Sequence, residues 1–256
     1  MVGRVGMHVE TRGEGAATLV LLHGMGATAA VWRRAIHELD SAWAGRVVVC
    51  DLPGHGASAA LGDYTYDAVA TAVAECLPVT ERLVVAGHSF GGMIAVHLAS
   101  GALGCAPAAV VATGVKVRWT TEELAAMATL AAKPVRAFDT FAEAQDRYRK
   151  VSGLTPDVTD DVADLERGVV AANDRFRLSQ DPATAGVGEP DMAGALVAAR
   201  CPVLLGRGVA DPMVSDDDLA VFGVATESIA DAGHNAHVER PDQFVRSVVR
   251  FAEAVR

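Results

Sequence analysis

Ser89 stands at the centre of Gly87-His88-Ser89-Phe90-Gly91, directly after an apolar, Val-containing run at 83–86 and before an apolar stretch that opens at Phe90. A serine hydroxyl is a poor nucleophile at neutral pH and needs a base within hydrogen-bond reach. It must also stand clear of its own backbone, which a sharp strand-to-helix turn provides. On such a turn, side chains two positions before and two after the serine would collide with the neighbouring strand and helix, hence Gly87 and Gly91. With 25 glycines and nine serines in 256 residues, a G-x-S-x-G match arises by chance in about one chain in ten. The run before and the helix signal after therefore carry the argument, more than the pattern does.

Among the eight histidines, His234 in Ala232-Gly233-His234 follows a short strand candidate and precedes a helical C-terminal stretch. A loop past the carboxyl end of a strand is where a parallel sheet collects its site. The base needs an acceptor that fixes its tautomer and stabilises the imidazolium. Asp211, in Ala210-Asp211-Pro212 after the run at 203–205, stands in the right place. The chain order serine, acid, histidine separates this arrangement from the chymotrypsin and subtilisin orders. Backbone donors for an oxyanion are expected from Met25, in the loop His23-Gly24-Met25-Gly26, and from Phe90, just after the nucleophile.

These residues need an alternating α/β frame. Short aliphatic runs at 18–22, 46–50, 83–86, 108–112, 203–205 and 226–229 read as strands buried on both faces. Helical patterns at 30–39, 66–77, 90–101, 216–221 and 241–255 lie between or after them, and residues 7–15 read as an antiparallel edge hairpin. From 118 to 191 no aliphatic strand is evident, while Thr120 with Glu123 and Thr140 with Glu143 fit capping boxes and Gly153 a helix stop. A third helix is expected at 157–172. The reading is a core of residues 1–117 and 192–256, with 118–191 inserted as a helical lid.

Taken together, His23-Gly24-Met25-Gly26, Asp51-Leu52-Pro53-Gly54-His55-Gly56, the serine turn, Asp211, and Gly233-His234 with Glu239-Arg240-Pro241 resemble the α/β-hydrolase superfamily, in its order, over residues 19–251. The resemblance implies a mostly parallel central sheet flanked by helices, a Ser89–His234–Asp211 triad, and no metal or organic cofactor. It is similar to the lid-bearing subgroup of carboxylesterases, enol-lactonases, C–C bond hydrolases and perhydrolases. The expected activity is cleavage of a small carboxylic ester, lactone or thioester through an acyl-enzyme. The alternatives are C–C cleavage of a ring-cleavage product and a ligand-binding protein that has lost turnover.

Other polar residues have plainer readings. His23 and His55 match loop positions that serve structure, His88 packs or hydrogen-bonds locally beside the nucleophile, and His237 and Asp231 are weaker competitors for base and acid. Trp32 and Trp119 are candidates for an acyl pocket. Arg136, Arg147 and Arg149 are candidates for holding a substrate carboxylate, set against a solvated face. A net charge of −10, with no basic stripe, argues against nucleic-acid binding. Four cysteines without metal-ligand spacing, no export signal and no apolar run of about 20 residues set the expectation of a cytoplasmic protein that does not enter membranes.

Overall fold

The computed structural model describes residues 6–255. The chain runs through β1 (Val9–Arg12), β2 (Ala17–Leu22), a 3-10 turn (Ala29–Trp32) leading into α1 (Arg33–Ala42), β3 (Arg46–Cys50), α2 (Tyr66–Cys76), β4 (Arg82–His88), α3 (Phe90–Leu98) and β5 (Ala109–Thr113). It then carries α4 (Thr121–Ala131), β6 (Ala137–Phe138), α5 (Phe141–Ser152), β7 (Val169–Ala172) and β8 (Arg175–Leu178). It returns through α6 (Met192–Ala198), β9 (Val203–Gly208), α7 (Asp216–Ala220), β10 (Ala225–Ile229), α8 (Ala236–Glu239) and α9 (Pro241–Ala254).

Seven strands form the main sheet in the order β1-β3-β2-β4-β5-β9-β10, parallel except for β1. The aliphatic runs lack polar alternation because both faces of this sheet are covered. Leu19, Leu21, Val47, Val49, Val84 and Val111 pack with Trp32, Ile36, Phe244 and Val248 from the α1 and α9 side. Their sequence neighbours Val20, Leu22, Val48, Val85 and Val110 pack with α2 and α3 through Val69, Val73, Met93 and Ile94. Successive side chains of a strand point to opposite faces, so each run supplies both cores. No helix of the described residues is long and apolar enough to cross a membrane.

Three expectations are corrected. Residues 7–15 are not a hairpin: β1 is a single edge strand that pairs antiparallel with β3, because β3 lies between β1 and β2. The stretch 118–191 is not purely helical, since β6, β8 and β7 form a three-stranded antiparallel sheet. Its strands are too short to read as aliphatic runs. The helix expected at 157–172 is a 3-10 turn, Val162–Leu165, followed by β7. Arg167 takes φ of 61°, which ends helical geometry, and a Cβ on Gly168 would fall 2.3 Å from the Tyr148 ring. The chain must therefore pass Tyr148 closely and extended. Both capping boxes form as read, and Gly153 ends α5 at φ of 71°.

Candidate active site

The strands deliver Ser89, Asp211, His234 and Met25 to one edge of the sheet, past the carboxyl ends of β4, β9, β10 and β2. Ser89 has φ 50° and ψ −115°, a backbone region that L-residues seldom adopt and that costs about 1–3 kcal/mol. Its amide donates to the Thr113 carbonyl at 2.8 Å and its carbonyl accepts from Met93 at 3.1 Å, which hold the turn from both sides. A Cβ on Gly87 would lie 2.2 Å from the Gly91 carbonyl oxygen, and one on Gly91 would lie 2.3 Å from that of Leu22. Only glycine fits either position, as the sequence pattern implied.

His234 Nδ1 lies 3.0 Å from Asp211 Oδ2, and Asp211 Oδ1 accepts the Met213 amide at 2.9 Å. The Asp211 side chain is fully buried and the His234 ring is 18 % exposed, so the acid is sealed and the base faces outward. Ser89 and His234 both line one cavity of about 680 Å³. Among the described residues the Ser89 hydroxyl has no side-chain partner. Hydrogen bonds between such groups commonly tighten only once substrate is bound.

Two side chains hold the His234 loop. Glu239 accepts the Gly233 amide at 2.8 Å through one carboxylate oxygen and the Asn235 amide at 3.1 Å through the other. His88 Nε2 donates to the His234 carbonyl at 2.8 Å. Glu239 was visible in the matched motif, but its role depends on the turn it closes. His88 acts across the sheet, a relation that sequence spacing does not show.

The Met25 and Phe90 amides have no acceptor within the described chain, whereas the Gly26, Ala27, Ser89 and Gly91 amides around them are engaged. Gly26 donates to His55 Nε2 at 3.0 Å, Gly91 to the His23 carbonyl at 3.1 Å, and Ala27 to the Gly24 carbonyl at 3.1 Å. The loop is set by two buried histidines. His23 donates from Nδ1 to Gly24 at 2.8 Å and accepts the Leu52 amide at Nε2, 2.9 Å. His55 donates from Nδ1 to Pro53 at 3.1 Å. Beneath them Asp51, fully buried, accepts the Ala29 and Ala57 amides and Arg167 Nε at 2.7, 3.0 and 3.1 Å. Burial pushes the Asp51 carboxyl up, but the two amides, His23 and Arg167 together hold it below the usual range.

Burial pushes the pKa of four histidines down. It holds His55 and His237 down at about 3, His88 well below 6.5 with help from its neighbours His237 and His234, and His23 below 6.5. In the unfolded chain each titrates near 6.5. Below that pH the unfolded state takes up protons that the folded state refuses. Stability therefore falls with pH from about 6.5 downward, by about 2 kcal/mol at pH 5 for each of His55 and His237. For these two groups together the loss is a large share of the stability of a typical domain. The melting temperature should drop steeply between pH 6.5 and 5. His237→Phe should flatten that limb: both its ring nitrogens are buried without a partner, packed against Trp32, His88 and Phe244. An unchanged acid limb in His237→Phe, followed by scanning calorimetry, would contradict this assignment.

The pocket candidates divide. Trp119 lines the cavity. Trp32 does not: it is fully buried on the α1–α9 side against His237 and Phe244, because the turn that carries it packs onto the sheet. Arg136 lies over the Phe138 ring at 4.7 Å and lines an outer groove, away from Ser89. Arg149 is structural, donating to the Leu154 and Thr159 carbonyls at 2.9 and 2.8 Å. Arg147 does line the cavity. Met25, Tyr66, Phe90, Met93, Leu124 and Met127 make most of its remaining wall apolar, and α4, none of whose residues is buried, covers one side. No group of His, Cys, Asp and Glu among the described residues has the arrangement to hold a metal ion.

Comparison with known proteins bears on the fold and the family. A stretch of 93 residues is 38 % identical to a pimeloyl-[acyl-carrier protein] methyl ester esterase of Vibrio vulnificus (strain YJ016), and covers 36 % of this chain. The match spans about a third, 34 %, of that relative's length. Lipase LipV of Mycobacterium tuberculosis (strain ATCC 25618 / H37Rv) is 32 % identical over 171 residues, 63 % of this chain and 60 % of the lipase. The solved structure of an E-2-(acetamidomethylene)succinate hydrolase superposes with a TM-score of 0.80 at 20 % identity, over 98 % of this chain and 96 % of that one. The alpha/beta hydrolase family profile matches residues 19–247, and the chain belongs to that family.

Proposed function

We propose that this protein is a serine hydrolase that cleaves a small carboxylic ester or thioester through an acyl-enzyme. One observation carries the reading: a strained Ser89 opens into the same cavity as His234, whose far nitrogen is bonded to buried Asp211. In this reading Ser89 Oγ attacks the substrate carbonyl while His234 Nε2 takes its proton. Asp211 keeps the proton of His234 on Nδ1 and stabilises the imidazolium. The carbonyl oxygen, negative in the tetrahedral intermediate, receives the free Met25 and Phe90 amides, each worth about 3–4 kcal/mol to the transition state. The imidazolium then protonates the departing alcohol or thiol. Water, deprotonated by His234, attacks the acyl-enzyme, and the collapse of the second intermediate returns the proton to Ser89.

Residues 118–191 act as a lid in this scheme. Leu124 and Met127 of α4 and Val151 of α5 roof the cavity and exclude water from the acyl group. The relatives named for ester cleavage support the choice of an ester bond over a C–C bond. The test is covalent trapping. A fluorophosphonate should add one phosphonyl group to the peptide that carries Ser89, read by mass spectrometry of the folded protein. An unlabelled Ser89 would overturn the reading, and a burst of nitrophenol from a p-nitrophenyl ester would support it further.

A further inference from the structure

In a chain of net charge −10, cations near the core have partners. Arg34 pairs with Asp164, Arg167 with Asp51 and Arg207 with Asp216, at 3.1, 3.1 and 3.0 Å. The cavity mouth is different. Arg147 and Lys150, one turn apart on α5, are exposed and have no hydrogen bond or ion pair with any described residue. Both line the Ser89 cavity and also the outer groove beside β6. Arg147 further lines a separate, smaller cavity of about 190 Å³ whose walls include Leu130, Val151 and Leu178. It is therefore common to all three spaces, one of which also holds the nucleophile.

No carboxylate among the described residues is within ion-pair distance of either cation, although Glu143 and Asp146 stand one turn before them on α5. In the groove, Glu143 is occupied by the Thr140 amide at 3.2 Å and Asp139 by Arg175 at 2.8 Å. Asp146 and Glu189, the other carboxylates on these walls, are exposed. A guanidinium offers a planar fork to a carboxylate or phosphate, and an ammonium one turn away adds charge without competing for the same geometry.

We propose that Arg147 and Lys150 form an anion-binding subsite of the Ser89 cavity, and that the preferred ester carries a carboxylate or phosphate beyond an apolar segment. This rests on the hydrolase reading above and narrows its substrate class.

The experiment compares kcat/KM for monomethyl esters of straight-chain dicarboxylic acids with that for the dimethyl esters of the same acids. Methyl esters of the same chains ending in a phosphate form a second arm. The wild-type protein should prefer one anionic series over the neutral one by at least tenfold. In the Arg147→Gln/Lys150→Gln double variant, folding checked by its melting temperature, that preference ratio should fall tenfold or more. Preference for the carboxylate arm identifies a carboxylate ligand and preference for the phosphate arm a phosphate. No preference for either anion, or one that survives the double substitution, overturns the subsite. If no ester of any series is turned over and Ser89 resists the phosphonate probe, the hydrolase reading itself fails, a separate result.

Discussion

Ser89→Ala should lower kcat on a p-nitrophenyl ester by about 10⁴- to 10⁶-fold, while the melting temperature stays within a few degrees. The loss is large because, in the proposed mechanism, the serine oxygen forms and breaks the covalent bond, which alanine cannot do. The stability is unchanged for a local reason. The Ser89 side chain caps nothing, and alanine meets the same strain at φ 50° that serine does. The residual rate over water would come from the Met25 and Phe90 amides and from binding in the cavity. Steady-state rates with calorimetry on the same sample separate the two quantities. A variant that keeps its rate would show that the elbow is structural.

Asp211→Asn should cost about 10⁴-fold in kcat with a modest change in KM. The carboxylate makes two bonds here, to His234 Nδ1 and to the Met213 amide. Asparagine can keep only one acceptor. If its carbonyl stays on Met213, its NH₂ faces Nδ1 and forces the ring proton onto Nε2, where a base lone pair is needed. If it flips, the buried Met213 amide faces a donor, which costs about 1–3 kcal/mol of stability. A fall in rate without a large fall in melting temperature selects the first arrangement. Retention of rate would remove Asp211 from the mechanism.

The parts of this site legible in sequence are those whose physics is local. The elbow is one strand, five residues and one helix, and the clashes that demand Gly87 and Gly91 lie in the turn's immediate packing. Asp211 and His234 follow strands in a fixed order, so a correct strand count placed them. What stayed hidden depends on partners distant in sequence. Trp32 read as a pocket residue because it follows the oxyanion loop, yet its side chain turns into the core beside His237. Residues 169–178 form a hairpin whose two-residue turn uses Asn173 at φ 54°, a signal too short to outweigh the helical patterns around it. Arg147, Arg149 and Arg136 look alike in sequence. Only the fold sends one to the cavity, one to backbone carbonyls and one over an aromatic ring.

Arg167 belongs to the segment between β5 and β9, but its guanidinium neutralises Asp51, which in turn anchors the amides of Ala29 and Ala57 near the oxyanion loop. The roof and the catalytic floor are thus not independent modules. A chimera that exchanges residues 118–191 for the equivalent stretch of a homologue, in order to alter selectivity, would strip the counter-ion from a sealed carboxylate. Such grafts should retain arginine at 167, or substitute position 51 in concert, for the recipient scaffold to keep its fold.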